Sequence, residues 1–148
     1  YLVLPPALME RWDDVQRYRF CALPWLDHEM MHLFMSSPEW ARYERTTVSS
    51  YRKRHDTLIA SIHEHLGDKV RIVGADAGLH ILLGDGEKRD QSELINLARS
   101  HDVRVYGTNR YWVGSARPMR YYVLVGFSQI RDEDIPEGIR RLGEAWYG

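Results

Sequence analysis

Ser36–Gly67, SSPEWARYERTTVSSYRKRHDTLIASIHEHLG, is the stretch from which the rest of the chain can be placed. Ser36-Ser37-Pro38-Glu39 reads as a helix start. A serine stands at the N-cap, Glu39 is set to close a capping box, and Pro38 falls in the first turn, where its missing N–H costs nothing. Apolar or aromatic residues then recur at helical spacing at Trp40, Tyr43, Val48, Tyr51, Leu58, Ile62 and Leu66, and Gly67 is the expected stop. No Gly or Pro interrupts Glu39 to Leu66. At 1.5 Å per residue such a helix is about 40 Å long, whereas a compact body of this size has a radius of gyration of about 15 Å. The stretch therefore predicts a helix that joins two bodies, with only one of them expected in this chain.

Outward from it, Tyr1–Leu4 reads as a short apolar strand stopped by Pro5-Pro6, and Ala7 to about Arg19 as an amphipathic helix with Leu8, Trp12 and Val15 on one face. Cys21–Met35 holds Pro24 and a very apolar patch of Trp25, Leu26, Met30, Met31, Leu33, Phe34 and Met35. On the C-terminal side, Val70–Gly74 and Gly78–Leu83 read as a hairpin around Gly74-Ala75-Asp76-Ala77, and Asp85–Asp90 as a polar loop. Gln91–His101 is a predicted helix with Leu94, Ile95, Leu97 and Ala98 inward. Val103–Tyr106 is a predicted strand, Gly107–Pro118 an irregular loop rich in Arg and aromatics, and Tyr121–Phe127 a strongly apolar strand. Asp132 is placed to cap a last helix from Glu133 to Trp146, with Ile135, Ile139, Leu142 and Trp146 in register. The order favours an α+β fold, a small, mostly antiparallel sheet covered by helices.

Composition narrows the function. The 148 residues are 44% apolar and 28% charged, enough for one core. Lys+Arg 20 against Asp+Glu 21 leaves no basic field, which argues against direct nucleic-acid binding by this segment. A single cysteine, Cys21, cannot form an internal disulfide and fits a reducing compartment, so a cytoplasmic protein is expected. No apolar run approaches membrane-spanning length. The opening Tyr1-Leu2-Val3-Leu4-Pro5 lacks a Met and stands in strand-like register, as a piece of a longer protein would.

His28-Glu29-Met30-Met31-His32 fits H-E-x-x-H, which on a helix sets two imidazoles on one face for Zn²⁺ with the Glu as base. The extended metzincin pattern would continue with a glycine and a third histidine, where this chain has Met35 and Pro38. With seven histidines present, the match reads as chance and no metal site is expected; a zinc hydrolase remains the weakest alternative. His63 and His65 suit the C-terminal end of the long helix. His80, inside an apolar strand, is either a hydrogen-bonded core residue or a group aimed at a pocket from the strand edge.

The order of several motifs resembles one family. Tyr1-Leu2-Val3-Leu4-Pro5-Pro6 is followed by Tyr51-Arg52-Lys53-Arg54-His55-Asp56, then by Gly74-Ala75-Asp76-Ala77-Gly78-Leu79-His80. Val103-Arg104-Val105-Tyr106, Leu124-Val125-Gly126-Phe127-Ser128 and Glu133-Asp134-Ile135-Pro136-Glu137-Gly138-Ile139-Arg140-Arg141-Leu142 complete the series. Together they resemble, over essentially the whole chain, the C-terminal part of MocR-type regulators. These fuse a GntR-type winged-helix DNA-binding domain to a domain similar to class I/II, fold-type I aminotransferases, which bind pyridoxal 5′-phosphate (PLP).

The resemblance implies that residues 1–35 are a remnant of the large PLP-binding domain and 36–148 the small C-terminal domain, preceded by the long interdomain helix. It also implies PLP in the full-length protein, a homodimer, an amine or amino-acid effector, and partners in the remainder of the same chain. The Schiff-base lysine of the family lies before the strand that starts here, so no bound PLP and no catalytic residue is expected in this segment; Lys53, Lys69 and Lys88 do not match it. The aminotransferases' carboxylate-clamping Arg, in a pattern like Arg-Leu-Ser-Phe, aligns with Leu124, and Leu cannot make a bidentate contact. Gly78-Leu79-His80 likewise replaces a Gly-Gly-Phe-like pattern. A surviving clamp must come from Arg110, Arg117 or Arg120. Arg110 or Arg120, with His80 nearby, are the expected effector contacts, unless those arginines are merely a solvated basic loop. The reading that follows is the aminotransferase-like, effector-sensing portion of a PLP-dependent transcriptional regulator; a fragment of a working class I/II aminotransferase is the alternative.

Overall fold

The structure, a computed structural model, describes residues 4–16, 24–76, 78–112 and 119–148. It divides into two compact units, Tyr1–Arg45 and Thr46–Gly148, with the boundary inside the long helix. The expected strand at Tyr1–Leu4 lies outside the described residues except for Leu4, which is in no regular element.

In the first unit, α1 spans Pro6–Gln16 and α2 spans Trp25–Met35. Proline stands at the first position of α1 and directly before α2, places that need no N–H. Ser36 closes α2, its amide donating to the His32 carbonyl at 3.0 Å, and so is not the N-cap of the long helix. Ser37 takes the position before that helix, but its hydroxyl donates backward to the Phe34 carbonyl at 2.7 Å. The capping box expected with Glu39 is therefore out of register by one residue. Phe34 instead meets Trp40 and Tyr43 edge-on at 5.5 and 5.9 Å.

No residue of α2 is buried; Trp25 is 76% exposed, and Leu26, Met30, Met31, Leu33 and Met35 are exposed with it. Burying one Leu- or Phe-sized side chain is worth about 1.5–3 kcal/mol, and contiguous apolar surface drives association. We expect the 148-residue chain to self-associate through this face, seen as concentration-dependent sedimentation. A monomer at all concentrations, with slowly exchanging α2 amides, would contradict this.

The long helix α3 runs Pro38–His65. Gly67 follows with φ +52°, the left-handed turn that only glycine adopts cheaply. In the second unit, Leu58, Ile62 and Leu66 are buried in the core, while Val48 on the preceding turns is exposed. The sheet comprises β1 (Val70–Val73), β2 (His80–Asp85), β3 (Tyr106–Gly107) and β4 (Tyr122–Gly126), all antiparallel in the order β1-β2-β4-β3. Between the second and third strands lies α4 (Gln91–Ser100), and α5 (Ile135–Tyr147) ends the chain. The Val103–Tyr106 strand shrinks to Tyr106–Gly107, because only these two residues pair with β4.

Alternation of side chains divides the sheet into two faces. Ile81, Leu83, Val123 and Val125 join Leu94 and Ala98 of α4 and Ile135, Ile139, Leu142 and Trp146 of α5 in the core, with Phe127 just beyond β4. The opposite face carries a cross-strand row, Val73 opposite Leu82, Leu82 opposite Leu124, and Leu124 opposite Tyr106. Long-range polar contacts fix the ends of these elements. Asp132, expected as a helix cap, instead takes Arg54 at 3.1 Å and Lys53 at 2.9 Å, while Arg54 also donates to the Ser128 carbonyl at 2.7 Å. Asp85, expected in a solvent loop, ends β2 with its side chain fully buried against Arg89 and Tyr147.

Candidate functional site

The loop that was expected to carry the site is held at both ends by the start of α4. Asp90 caps that helix, accepting from the Ser92 amide at 2.9 Å, and the next residue reaches across to the loop. The Gln91 side-chain oxygen accepts from the Thr108 amide at 2.6 Å and the Asn109 amide at 3.2 Å. Its own backbone amide donates to the Arg120 carbonyl at 2.9 Å, and the Thr108 hydroxyl donates to the Met119 carbonyl at 2.9 Å. Gly107 permits this approach, since a Cβ there would collide with the Gln91 oxygen. Gln91 was not legible as a site residue: a polar side chain at the first turn of an amphipathic helix carries no signal that it is buried.

Three of the four expected residues, His80, Arg110 and Arg120, lie among the described residues. His80 opens β2 and is exposed, which removes the buried-core alternative. It lies on the same face as Leu82, over Gly126, where a Cβ would come within 3.1 Å of the imidazole. His80, Leu82, Leu124, Tyr111, Trp112 and Met119 line an open hollow of about 560 Å³. Arg110 is exposed beside it, its guanidinium donating to the Tyr111 hydroxyl at 2.8 Å and lying 5.0 Å from that ring's centre. A second hollow of about 280 Å³ has Arg110, Gln91 and Tyr106 in its wall. Arg120 is elsewhere, stacked 4.5 Å from the centre of the Tyr121 ring, whose hydroxyl it also meets. Its charge acts on Asp90, whose carboxyl is held low chiefly by the Ser92 amide and hydroxyl. Arg117 lies outside the described residues. The hollow thus unites His80 with Leu124 and Tyr111; Arg110 touches Tyr111 from outside it, and Arg120 is not among its lining residues.

His28 and His32 are one turn apart on α2 and exposed; among the described residues no group of three His, Cys, Asp or Glu could hold a metal ion. The three lysines stand in three different settings. Lys53 is paired with Asp132, the Lys69 ammonium lies 4.9 Å from the centre of the Tyr147 ring, and Lys88 is exposed in a turn at φ +59°.

No protein-family model matches the chain. Its fold is that of part of a fold-type I aminotransferase. It superposes on an archaeal alanine:glyoxylate aminotransferase with a TM-score of 0.78 at 19% identity, covering 97% of this chain and 35% of the other. The α-aminoadipate aminotransferase LysN of Thermus thermophilus, crystallised with N-(5′-phosphopyridoxyl)-L-leucine, gives 0.76 at 17% identity over 97% and 36%. In sequence the chain is similar to transcriptional regulators. It is 32% identical over 149 residues to the uncharacterized HTH-type regulator YhdI of Bacillus subtilis (strain 168), covering 99% of this chain and 31% of YhdI. The HTH-type regulator YdeL of the same organism is 27% identical over 146 residues, with the same coverages of 99% and 31%. The chain therefore spans about a third of the length of these relatives. Regulator relatives over the whole chain, on an aminotransferase fold, agree with the resemblance to MocR-type C-terminal domains. Among the described residues no helix is long and apolar enough to cross a membrane.

Proposed function

We propose that this chain is the effector-sensing, aminotransferase-like portion of a MocR-type regulator of the GntR family. The observation that carries the reading is the combination just described: similarity to HTH-type regulators along 99% of the chain, on an aminotransferase fold. Leu124 supports signalling over transamination, because the position matched to the enzymes' carboxylate fork offers no donor. In this reading residues 1–35 complete a large domain and 36–148 form the small domain of a cytoplasmic homodimer. PLP is held by the remainder of the chain, and DNA by a winged helix there. The effector acts by binding one DNA-affinity state better than the other.

Arg110 and Arg120 are the proposed carboxylate contacts, together with His80. In the full-length, PLP-loaded protein, removing the guanidinium that meets the effector should cost roughly 1.5–3 kcal/mol, about a tenfold or greater weakening. Titrating amino-acid effectors onto Arg110→Ala and Arg120→Ala tests this; unchanged affinity in both would place the contact elsewhere. Incubating the 148-residue chain with PLP and then borohydride should label no lysine stoichiometrically, since the nucleophilic amine belongs to the remainder of the protein. One lysine labelled per chain would overturn that assignment.

A further inference from the structure

The hollow on the open face of the sheet has a chemistry of its own. Leu82 and Leu124 form its floor as a cross-strand pair, and Tyr111, Trp112 and Met119 its wall. The Thr108 hydroxyl, which also borders it, is already committed to the Met119 carbonyl. The lining side chains that still carry a polar group for a ligand are His80, Tyr111 and Trp112. Arg110 does not line the hollow but is held on the hydroxyl of Tyr111, which does, at 2.8 Å. A carboxylate lying on the Leu82–Leu124 floor would meet no donor from the floor itself, whereas an apolar group there gains contact with five apolar or aromatic side chains. At about 560 Å³ the space lies within the roughly 300–1,000 Å³ usual for small-ligand sites.

We infer that this hollow receives the large apolar side chain of an amino-acid ligand, whose carboxylate faces outward, toward His80 and the Arg110–Tyr111 pair. The inference rests on the effector-sensing reading above and adds the ligand's class: leucine-like or phenylalanine-like, neither small nor acidic. Leu124 is then a specificity residue. It selects for apolar bulk at the point where a guanidinium would select for a carboxylate.

The test uses the full-length, PLP-loaded protein, titrated calorimetrically with L-phenylalanine, L-leucine, L-alanine and L-glutamate. Phenylalanine or leucine should bind at least about tenfold more tightly than alanine or glutamate, the scale on which an apolar pocket reads several missing methylenes. Leu124→Arg should weaken phenylalanine by a similar factor and strengthen glutamate. Alanine or glutamate binding as tightly as phenylalanine would overturn the inference, as would Leu124→Arg leaving phenylalanine unchanged. Absence of binding by all four, with Leu82 and Leu124 amides protected from exchange, would mean the rest of the chain covers the hollow, which also overturns it. Should Leu124→Arg fail to fold, the wild-type series decides alone. The same ligands are followed by DNA anisotropy in parallel. An apolar preference without any change in DNA affinity upholds the hollow and counts only against the regulator reading; a DNA response to glutamate alone does the reverse.

Discussion

Replacing Arg89 by alanine is expected to destabilise the second unit by about 3–5 kcal/mol, the usual cost of stranding one half of a buried ion pair. The Asp85 side chain is fully buried and takes a two-pronged contact from Arg89, Nη2 at 2.8 Å and Nε at 3.0 Å. The third guanidinium nitrogen donates to the Trp146 carbonyl at 2.6 Å, and the Tyr147 hydroxyl donates to Asp85 at 2.5 Å. One carboxylate therefore ties the end of β2 to the end of α5, and loss of the fork frees both. Burial alone would raise the Asp85 carboxyl, but hydrogen bonds from the Arg89 side chain, Tyr147 and the Arg89 amide outweigh it and hold the group at about 2. A depressed folded-state value makes the stabilisation fully present above the unfolded value near 4. It is lost as pH falls from about 4 through 2, roughly 2 kcal/mol in all. Burial, together with the adjacent Asp85 carboxylate, raises the Tyr147 phenol, so it stays protonated as donor throughout this range. Urea unfolding of the 148-residue chain at pH 7 and across that window checks both effects. An Arg89→Ala midpoint equal to wild type, or acid sensitivity unchanged in the variant, would remove the network from the list of stabilising contacts.

Phe127→Ala is expected to cost about 3–5 kcal/mol, the range for deleting a buried aromatic ring. Phe127 is 1% exposed just past β4, and its ring meets His55 of α3 edge-on at 5.9 Å. It shares the core with Leu58 and Ile62 of the same helix. Phe127→Leu keeps most of the volume and should cost less than about 1.5 kcal/mol. The pair separates lost packing from general sensitivity of the strand end. Equal midpoints for alanine and leucine would show that the ring does not fill this part of the core.

The strong periodicities of the chain translated directly into elements. Ile135, Ile139, Leu142 and Trp146 are all buried, and Gly67 stops α3 in the left-handed conformation foreseen for it. Spacing defines a face but not its partner, which is why Tyr43 and Val48 of α3 and the apolar side chains of α2 are exposed. What the sequence hid was set by distant residues. Asp85 looked like loop because its neighbours are Gly86, Glu87 and Lys88; its burial depends on Tyr147, 62 residues away. Asp132 looked like a cap because it precedes a helix, and was claimed instead by Arg54, 78 residues back. Of the site, His80 and Leu124 could be singled out by motif position. That they share a hollow with Tyr111 and Trp112 depends on the register of β2 with β4 and on Gln91 holding the loop.

The central claim is that this fold serves signalling in a longer, DNA-binding protein. It is tested most directly by fluorescence anisotropy of the full-length, PLP-loaded protein on its own promoter DNA, with and without saturating L-phenylalanine or L-leucine. A shift in DNA affinity of about fivefold or more is expected, the lower end of ordinary allosteric coupling of about 1–3 kcal/mol. Specific DNA binding that ignores these ligands and every other amino acid supplied, alongside steady transamination of one of them, would contradict it.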